Sequence, residues 1–226
     1  MIVKNIIFDI GGVLASPKTG NWFITNNFFN ILDENLIDKE RLNESLKKYL
    51  YLQTQEPKTE EEEHAMFSNY YYKVLEYLKY PNLSKEIVNK IADDCVYNDE
   101  KFIFYEDVKP ILEELSKSYN LYIISNGWPS SLRVLKNKDI YNYFKKVYIS
   151  SLYTTSKEEN LFDIFLNNQQ EVKPEESLYI DDRRHIIDKA KEYNFNLLLM
   201  DRNNQYQDYN ITIIKNMNDI IKLLEK

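Results

Sequence analysis

Glycine is scarce in this chain: there are four in 226 residues, and two of them stand side by side as Gly11 and Gly12. A single cysteine, Cys95, excludes an internal disulfide framework and makes the cytoplasm the expected compartment. The expected place of Cys95 itself is a small buried apolar position. Basic residues are outnumbered, 29 Lys and Arg against 36 Asp and Glu, for a net charge of −7. That balance argues against a general affinity for nucleic acid or an anionic membrane. No apolar run approaches the roughly 18 residues that span a bilayer. The start of the chain is not patterned as a signal peptide: Met1 leads into a short strand-like run that ends on a charged residue. Only two histidines, His64 and His185, are available for acid–base work.

What is present is ordinary for a globular protein. Apolar residues make up 43% of the sequence, too many for disorder and enough for one good core, or one core plus a smaller lobe. "VKNIIFDI" is an unbroken run of β-branched and aromatic residues and reads as a buried parallel strand. Similar runs fall at Asn120–Asn126, Lys145–Ser151, Ser177–Asp182 and Asn194–Met200. Between them lie helical patterns, among them Val108, Ile111, Leu112 and Leu115 on one face, and Ile186, Ile187, Ala190 and Tyr193 on another. Leu161, Ile164 and Phe165 form a third such face. Strands alternating with helices imply an α/β fold built on a parallel sheet.

The segment from Pro17 to Asn98 contains no convincing strand. Its stretches "NWFITNNFFNILDEN", "DKERLNESLKKYLYLQ", "TEEEEHAMFSNYYYKVLEYLKY" and "LSKEIVNKIADDCVY" read as helices. The expected organisation is therefore an α/β core formed by residues 1–16 and 99–226, with residues 17–98 inserted as a helical unit. Thr59 and Glu62 have the spacing of a capping box, and the run Glu60–Glu63 is expected as a solvated first turn favoured by the helix dipole.

In an open parallel sheet, ligands bind beyond the carboxyl ends of the strands. Asp9, Ser125–Asn126–Gly127 and Asp181–Asp182 all fall at such ends, and Lys157 lies before a helix. Carboxylates offer the oxygen ligands that Mg²⁺ requires. A lysine can neutralise a phosphoryl group, and a carboxylate can attack phosphorus. Glycines beside that carboxylate let backbone N–H groups wrap an anion.

The motifs "FDIGGVL", "ISNG", Lys157 and "YIDD" stand in the order of the four motifs of the haloacid dehalogenase superfamily. The chain resembles its members with a helical cap inserted after the first motif. The resemblance spans Asp9 to Asp182 and implies a doubly wound, Rossmann-like core with a mobile cap. It implies Asp9 as nucleophile and Lys157 as the cation bridging nucleophile and phosphoryl group. It implies Ser125, Asn126, Gly127 and Gly12 as phosphate contacts. It also implies Mg²⁺ held by Asp9, the Gly11 carbonyl, Asp181 and Asp182. The expected substrate is a small phosphorylated metabolite, acted on by a monomer or homodimer, with no nucleic acid or membrane partner.

One departure matters. The family's phosphatases usually carry a second aspartate, the general acid, where this chain has Gly11. A metal contact through the carbonyl survives that change, but the proton donor does not. General acid–base help is worth about 10²–10⁴ in rate. Three readings stay open: substrates with good leaving groups (aryl, acyl or anomeric phosphates), a donor elsewhere such as His64 or His185, or a binding protein without turnover. Glu158 after the lysine and Ile186 after the acid pair also depart from the family pattern. Dehalogenation needs no acid either, but it gives no reason to pair Asp181 with Asp182. Substrate choice is expected to involve cap residues among Trp22, Phe23, Asn26, Tyr70 and Tyr71, although a stripe of this kind reads more readily as cap core; Trp128, expected at the pocket mouth, reads equally well as packing.

Overall fold

The computed structural model describes residues 2–206 and 210–225. Met1, residues 207–209 and Lys226, which the expected core ranges include, lie outside the described residues. Among the described residues the strands are β1 (Asn5–Phe8), β2 (Ala15–Pro17), β3 (Phe102–Phe104), β4 (Asn120–Ser125), β5 (Lys146–Ile149), β6 (Ser177–Asp181), β7 (Asn196–Met200) and β8 (Thr212–Ile214). Six of them form one parallel sheet in the order β5-β4-β1-β6-β7-β8. Strand order therefore reverses at β1, with β4 on one side and β6 on the other, and this is where a doubly wound sheet opens a crevice. The five strands expected from the apolar runs are all present, each slightly shorter than its run. The three-residue β8 is an addition.

The helices are α1 (Phe28–Ile31), α2 (Lys39–Lys48), α3 (Glu60–Leu78), α4 (Lys85–Val96), α5 (Val108–Leu115), α6 (Ser130–Asn137), α7 (Leu161–Asn168), α8 (Arg184–Ala190) and α9 (Asn218–Leu224). Successive residues of β1 feed opposite faces of the sheet, as its period of two requires. Ile6 and Phe8 pack with Val108, Leu112 and Ile220 of α5 and α9. Ile7 packs with Phe162, Phe165 and Ile187 of α7 and α8.

The segment between β2 and β3 is helical, and its apolar residues close on one another. Phe28, Leu42, Leu46, Phe67, Tyr70, Val74, Ile91 and Cys95 form a cluster separate from the two sheet faces. The expected first helix is reduced to the single turn α1. The cause is local: Asn21 Oδ1 accepts the Phe23 N–H at 2.8 Å and Asp33 Oδ1 accepts the Asn35 N–H at 3.0 Å. Such side chains compete with helical bonding. The segment joins the sheet through β2 and β3, which pair antiparallel with Ser16 opposite Ile103. This ribbon was not legible in the sequence.

The capping box at Thr59 and Glu62 is formed, but the acidic turn is not solvated throughout. Glu63 is wholly buried. Its carboxylate accepts the Ser130 N–H at 2.8 Å and the Ser130 hydroxyl at 2.7 Å, so it closes the N-terminus of α6 from another element. Burial pushes its carboxyl upward, opposed by Lys101 and by the Ser130 bonds. Beside it, Arg133 of α6 binds Glu60 at 2.9 Å and also Asp99. The helical segment is thus tied to α6 by charge as well as by packing.

Candidate active site

Register brings the principal groups together. Phe8 pairs with Ile180, so Asp9 and Asp181, one residue further on, lie level on adjacent strands and point to the same side. Lys157, with 0% exposure, lies between them. Its Nζ donates to Asp9 Oδ1 at 2.8 Å and to Asp181 Oδ2 at 2.5 Å. Burial opposes the lysine's charge, but the Asp181 and Asp9 carboxylates outweigh it and hold the ammonium above its ordinary range. Asp9 is pushed upward, first by burial and then by Asp181, against the pull of Lys157.

Asp182 completes a trio. One carboxylate oxygen each from Asp9, Asp181 and Asp182 lies within 4.8 Å of the others. Among the described residues no lysine or arginine nitrogen comes within 4 Å of Asp182. Burial, then the charges of Asp9 and Asp181, push its carboxyl up to about 7. Gly12 makes room for it. Gly12 has φ +72°, and a Cβ there would stand 2.1 Å from Asp182 Oδ2. Gly12 therefore seats an acid as well as lining the pocket. A divalent cation fits this donor set: three convergent oxygens bear more negative charge than their neighbours neutralise, and oxygen is the preferred ligand of such ions.

Ser125, Asn126 and Gly127 line the same pocket. The Asn126 side chain organises the lysine loop, accepting the Lys157 N–H at 2.9 Å and donating to Glu158 at 2.7 Å. The departure at Glu158 thus has a local role. The Gly127 N–H is already donated to Ser150 Oγ at 3.0 Å. Gly11 is open: a Cβ there would meet Trp22 at 3.7 Å and Asp9 Oδ2 at 3.9 Å, both ordinary contacts.

Neither histidine lines the pocket. His64 Nε2 lies 2.9 Å from Asp93 and its ring stacks on Tyr97, while His185 is 61% exposed beside Glu158. Among the suggested cap residues, Trp22 and Phe23 line the pocket, as does Trp128. Tyr70 and Tyr71 do not. They are fully buried, with their hydroxyls on the Leu46 and Phe23 carbonyls. Asn26 is not a lining residue either. Cys95 is buried as expected but also forms part of the pocket wall.

Three participants were missed in the sequence. Tyr179 donates its hydroxyl to Asp181 Oδ2 at 2.7 Å, and the two-residue spacing on a strand could have revealed it. The Arg183 N–H donates to Asp181 Oδ1 at 2.9 Å and its side chain lines the pocket. Lys101, on the far wall, gave no signal.

The charge trio predicts a pH dependence. A carboxyl held higher in the folded than in the unfolded chain favours folding below its unfolded value, and that contribution is lost as pH rises toward the folded value. For Asp182 the window runs from about 4 to about 7. In metal-free buffer, Tm should therefore fall across that window. Asp182→Asn should raise Tm at pH 8 by at least about 2–4 °C, the shift produced by about 1 kcal/mol in a chain of this size. A scan at pH 5 and pH 8 tests it, and an unchanged difference between the two pH values in the variant would refute it.

The family model of haloacid dehalogenase-like hydrolases matches residues 6–200. The chain belongs to that family and carries its Rossmann-like core. Similar solved structures include a 2-haloacid dehalogenase from Pseudomonas syringae, with TM-score 0.69, 17% identity and 99% of each chain covered. A HAD-hydrolase from Bacillus subtilis bound to magnesium has TM-score 0.73, 12% identity and full coverage of both chains. A HAD phosphatase from Thermococcus onnurineus has TM-score 0.67, 20% identity and 98% of each chain covered. At these identities the likeness is one of fold. A search of curated proteins finds no significant match. Among the described residues, no helix is long and apolar enough to cross a membrane.

Proposed function

We propose that this hydrolase is a Mg²⁺-dependent phosphatase of the cytoplasm, acting on a small phosphorylated metabolite with a good leaving group. Asp182 carries the reading. Displacement of halide needs one carboxylate and gains nothing from a third beside it, whereas a phosphoryl group needs a cation and the cation needs oxygens. Asp9, Asp181, Asp182 and the Gly11 carbonyl would hold the ion, which supplies charge neutralisation on the phosphoryl oxygens when bound. Asp9 attacks phosphorus in line, its oxygen forming the new P–O bond as the bond to the leaving group breaks; the leaving group departs with that electron pair and takes its proton from solvent. Lys157 fixes the carboxylate's orientation and offsets charge on the phosphoryl group. Ser125 and the adjoining backbone orient the phosphate. Water then cleaves the aspartyl-phosphate. Residues 17–98 act as a cap over the site, and the α/β core (1–16 and 99–226) carries the chemistry.

Two observations favour dehalogenation as the second reading. Gly11 supplies no acid, and Asp181 has both oxygens engaged by Lys157, Tyr179 and the Arg183 N–H. One experiment separates the readings. Purified protein is assayed with p-nitrophenyl phosphate, a sugar 1-phosphate, an alkyl phosphate and 2-chloropropionate, before and after EDTA. The expected result is hydrolysis of the first two substrates, a fall of at least about 100-fold on chelation, and recovery with Mg²⁺. Chloride release that is indifferent to EDTA would replace this reading with dehalogenation. No turnover of any substrate would point to a phosphate-binding protein.

A further inference from the structure

The pocket over Asp9 has a volume of about 360 Å³ and is walled by aromatic rings: Trp22, Phe23, Phe67, Phe102 and Trp128. One cation stands among them. Lys101 is 9% exposed, lies on the pocket wall, and leads directly into β3. Its Nζ donates to the Cys95 carbonyl, lies 4.0 Å from Cys95 Sγ and sits 5.3 Å from the centre of the Phe102 ring. Among the described residues no carboxylate oxygen comes within 4 Å of it. Glu63 acts on it at longer range and is itself held by Ser130. The other cations of the pocket region are different. Lys157 touches two carboxylates, and Arg183 has Asp181 at 3.9 Å and Glu158 at 4.0 Å.

A buried charge is costly unless it is paired. An ammonium in an aromatic pocket with no carboxylate in contact is therefore matched to an anion brought by the ligand. The rings are matched to a flat apolar group between that anion and the phosphate. Gly11 points the same way, because an aryloxide leaves without a proton from the protein. Resting on the phosphatase reading, we propose that the substrate is an aryl phosphate whose ring bears a carboxylate or similar anionic group, and that Lys101 binds that group. In the reaction Asp9 oxygen forms its bond to phosphorus. The aryloxide departs with the P–O electron pair and takes a proton from solvent, and water later restores Asp9 and releases phosphate.

The pocket carries its own reporter, since Trp22 and Trp128 are the only tryptophans of the chain. 4-Hydroxybenzoate and its neutral counterpart 4-hydroxybenzamide are titrated against tryptophan fluorescence in the unaltered protein, Lys101→Met and Lys101→Arg. The expected result is a preference for the acid of about 10–100-fold, the worth of one charge-assisted hydrogen bond. Lys101→Met should remove that preference and Lys101→Arg should keep most of it. Equal binding of acid and amide, binding of neither, or a preference that survives Lys101→Met would overturn the proposal. The corresponding 4-carboxyphenyl and 4-carbamoylphenyl phosphates are then assayed for hydrolysis. An acid preference in binding without hydrolysis of either ester would sink the phosphatase reading and leave the anion subsite. Hydrolysis of both esters without that preference would do the reverse.

Discussion

Asp9→Asn should reduce turnover by at least about 10³–10⁴-fold, because under the proposed covalent mechanism the variant lacks the nucleophile while the rest of the site remains. The substitution is nearly isosteric and suits the site in other respects. Asp9 is buried beside two other carboxylates, so a neutral amide relieves repulsion while giving up one partner of Lys157. Lys157 keeps Asp181 at 2.5 Å. The fold should therefore survive, and a melting curve recorded with the assay will separate lost chemistry from lost structure. The substrate for this comparison is p-nitrophenyl phosphate with Mg²⁺ in excess. A folded variant with full activity would rule out covalent catalysis by Asp9. Pre-steady-state kinetics with substrate in excess add a second reading: the unaltered protein should release p-nitrophenol in a burst if cleavage of the aspartyl-phosphate is slow, and the variant should show none.

Gly11→Asp should produce the largest gain. The position lies two residues beyond Asp9, its backbone is outside the left-handed region, and a Cβ meets only ordinary contacts from Trp22 and Asp9. A carboxyl there would stand beside Asp9 on the pocket wall, placed to donate a proton to a departing alkoxide. An alkoxide leaving group gains most from that proton and a nitrophenolate gains little. The ratio of kcat/KM for an alkyl phosphate to that for p-nitrophenyl phosphate should therefore rise by about 10²–10⁴. Gly11→Asn, which fills the same space without an acid, should leave the ratio alone. If the unaltered protein already handles both substrates equally, another group supplies the proton and the ratio will not move.

The core of this molecule was legible because its strands bury both faces and so read as unbroken apolar runs, with the polar residues at their ends standing out against that background. Asp9, Asp181, Asp182 and Ser125 were found for this reason. Lys157 has no such setting: it stood out only as a lysine ahead of a helix, and its bridging role came from the resemblance to a family. Features that depend on distant partners were hidden. Glu63 looks like any acidic helix start, and nothing local says that Ser130 of another helix awaits it. Tyr70 and Tyr71 have the composition of a binding wall yet turn into the interior of the helical segment, whereas Trp22, in an irregular stretch, lines the cavity. The ribbon of β2 and β3 is three residues deep on each side, too short for a periodic signal. Lys101 lies at its edge and could not be told from a surface lysine.

That ribbon constrains how the protein can vary. The chain leaves the sheet along β2 and returns along β3, and the two passages are bonded to each other. Lys101 precedes Phe102, the first residue of β3, and Phe102 in turn carries the Trp22 ring at 5.0 Å. The strap that attaches the helical segment is thus also part of the pocket wall. If the segment moves as the proposed cap, a substitution that altered its swing would displace the pocket wall, and one that reshaped the wall would stiffen or slacken the strap. Selectivity and opening rate would then be inherited together, so variants chosen for a new ligand should reveal themselves by altered release.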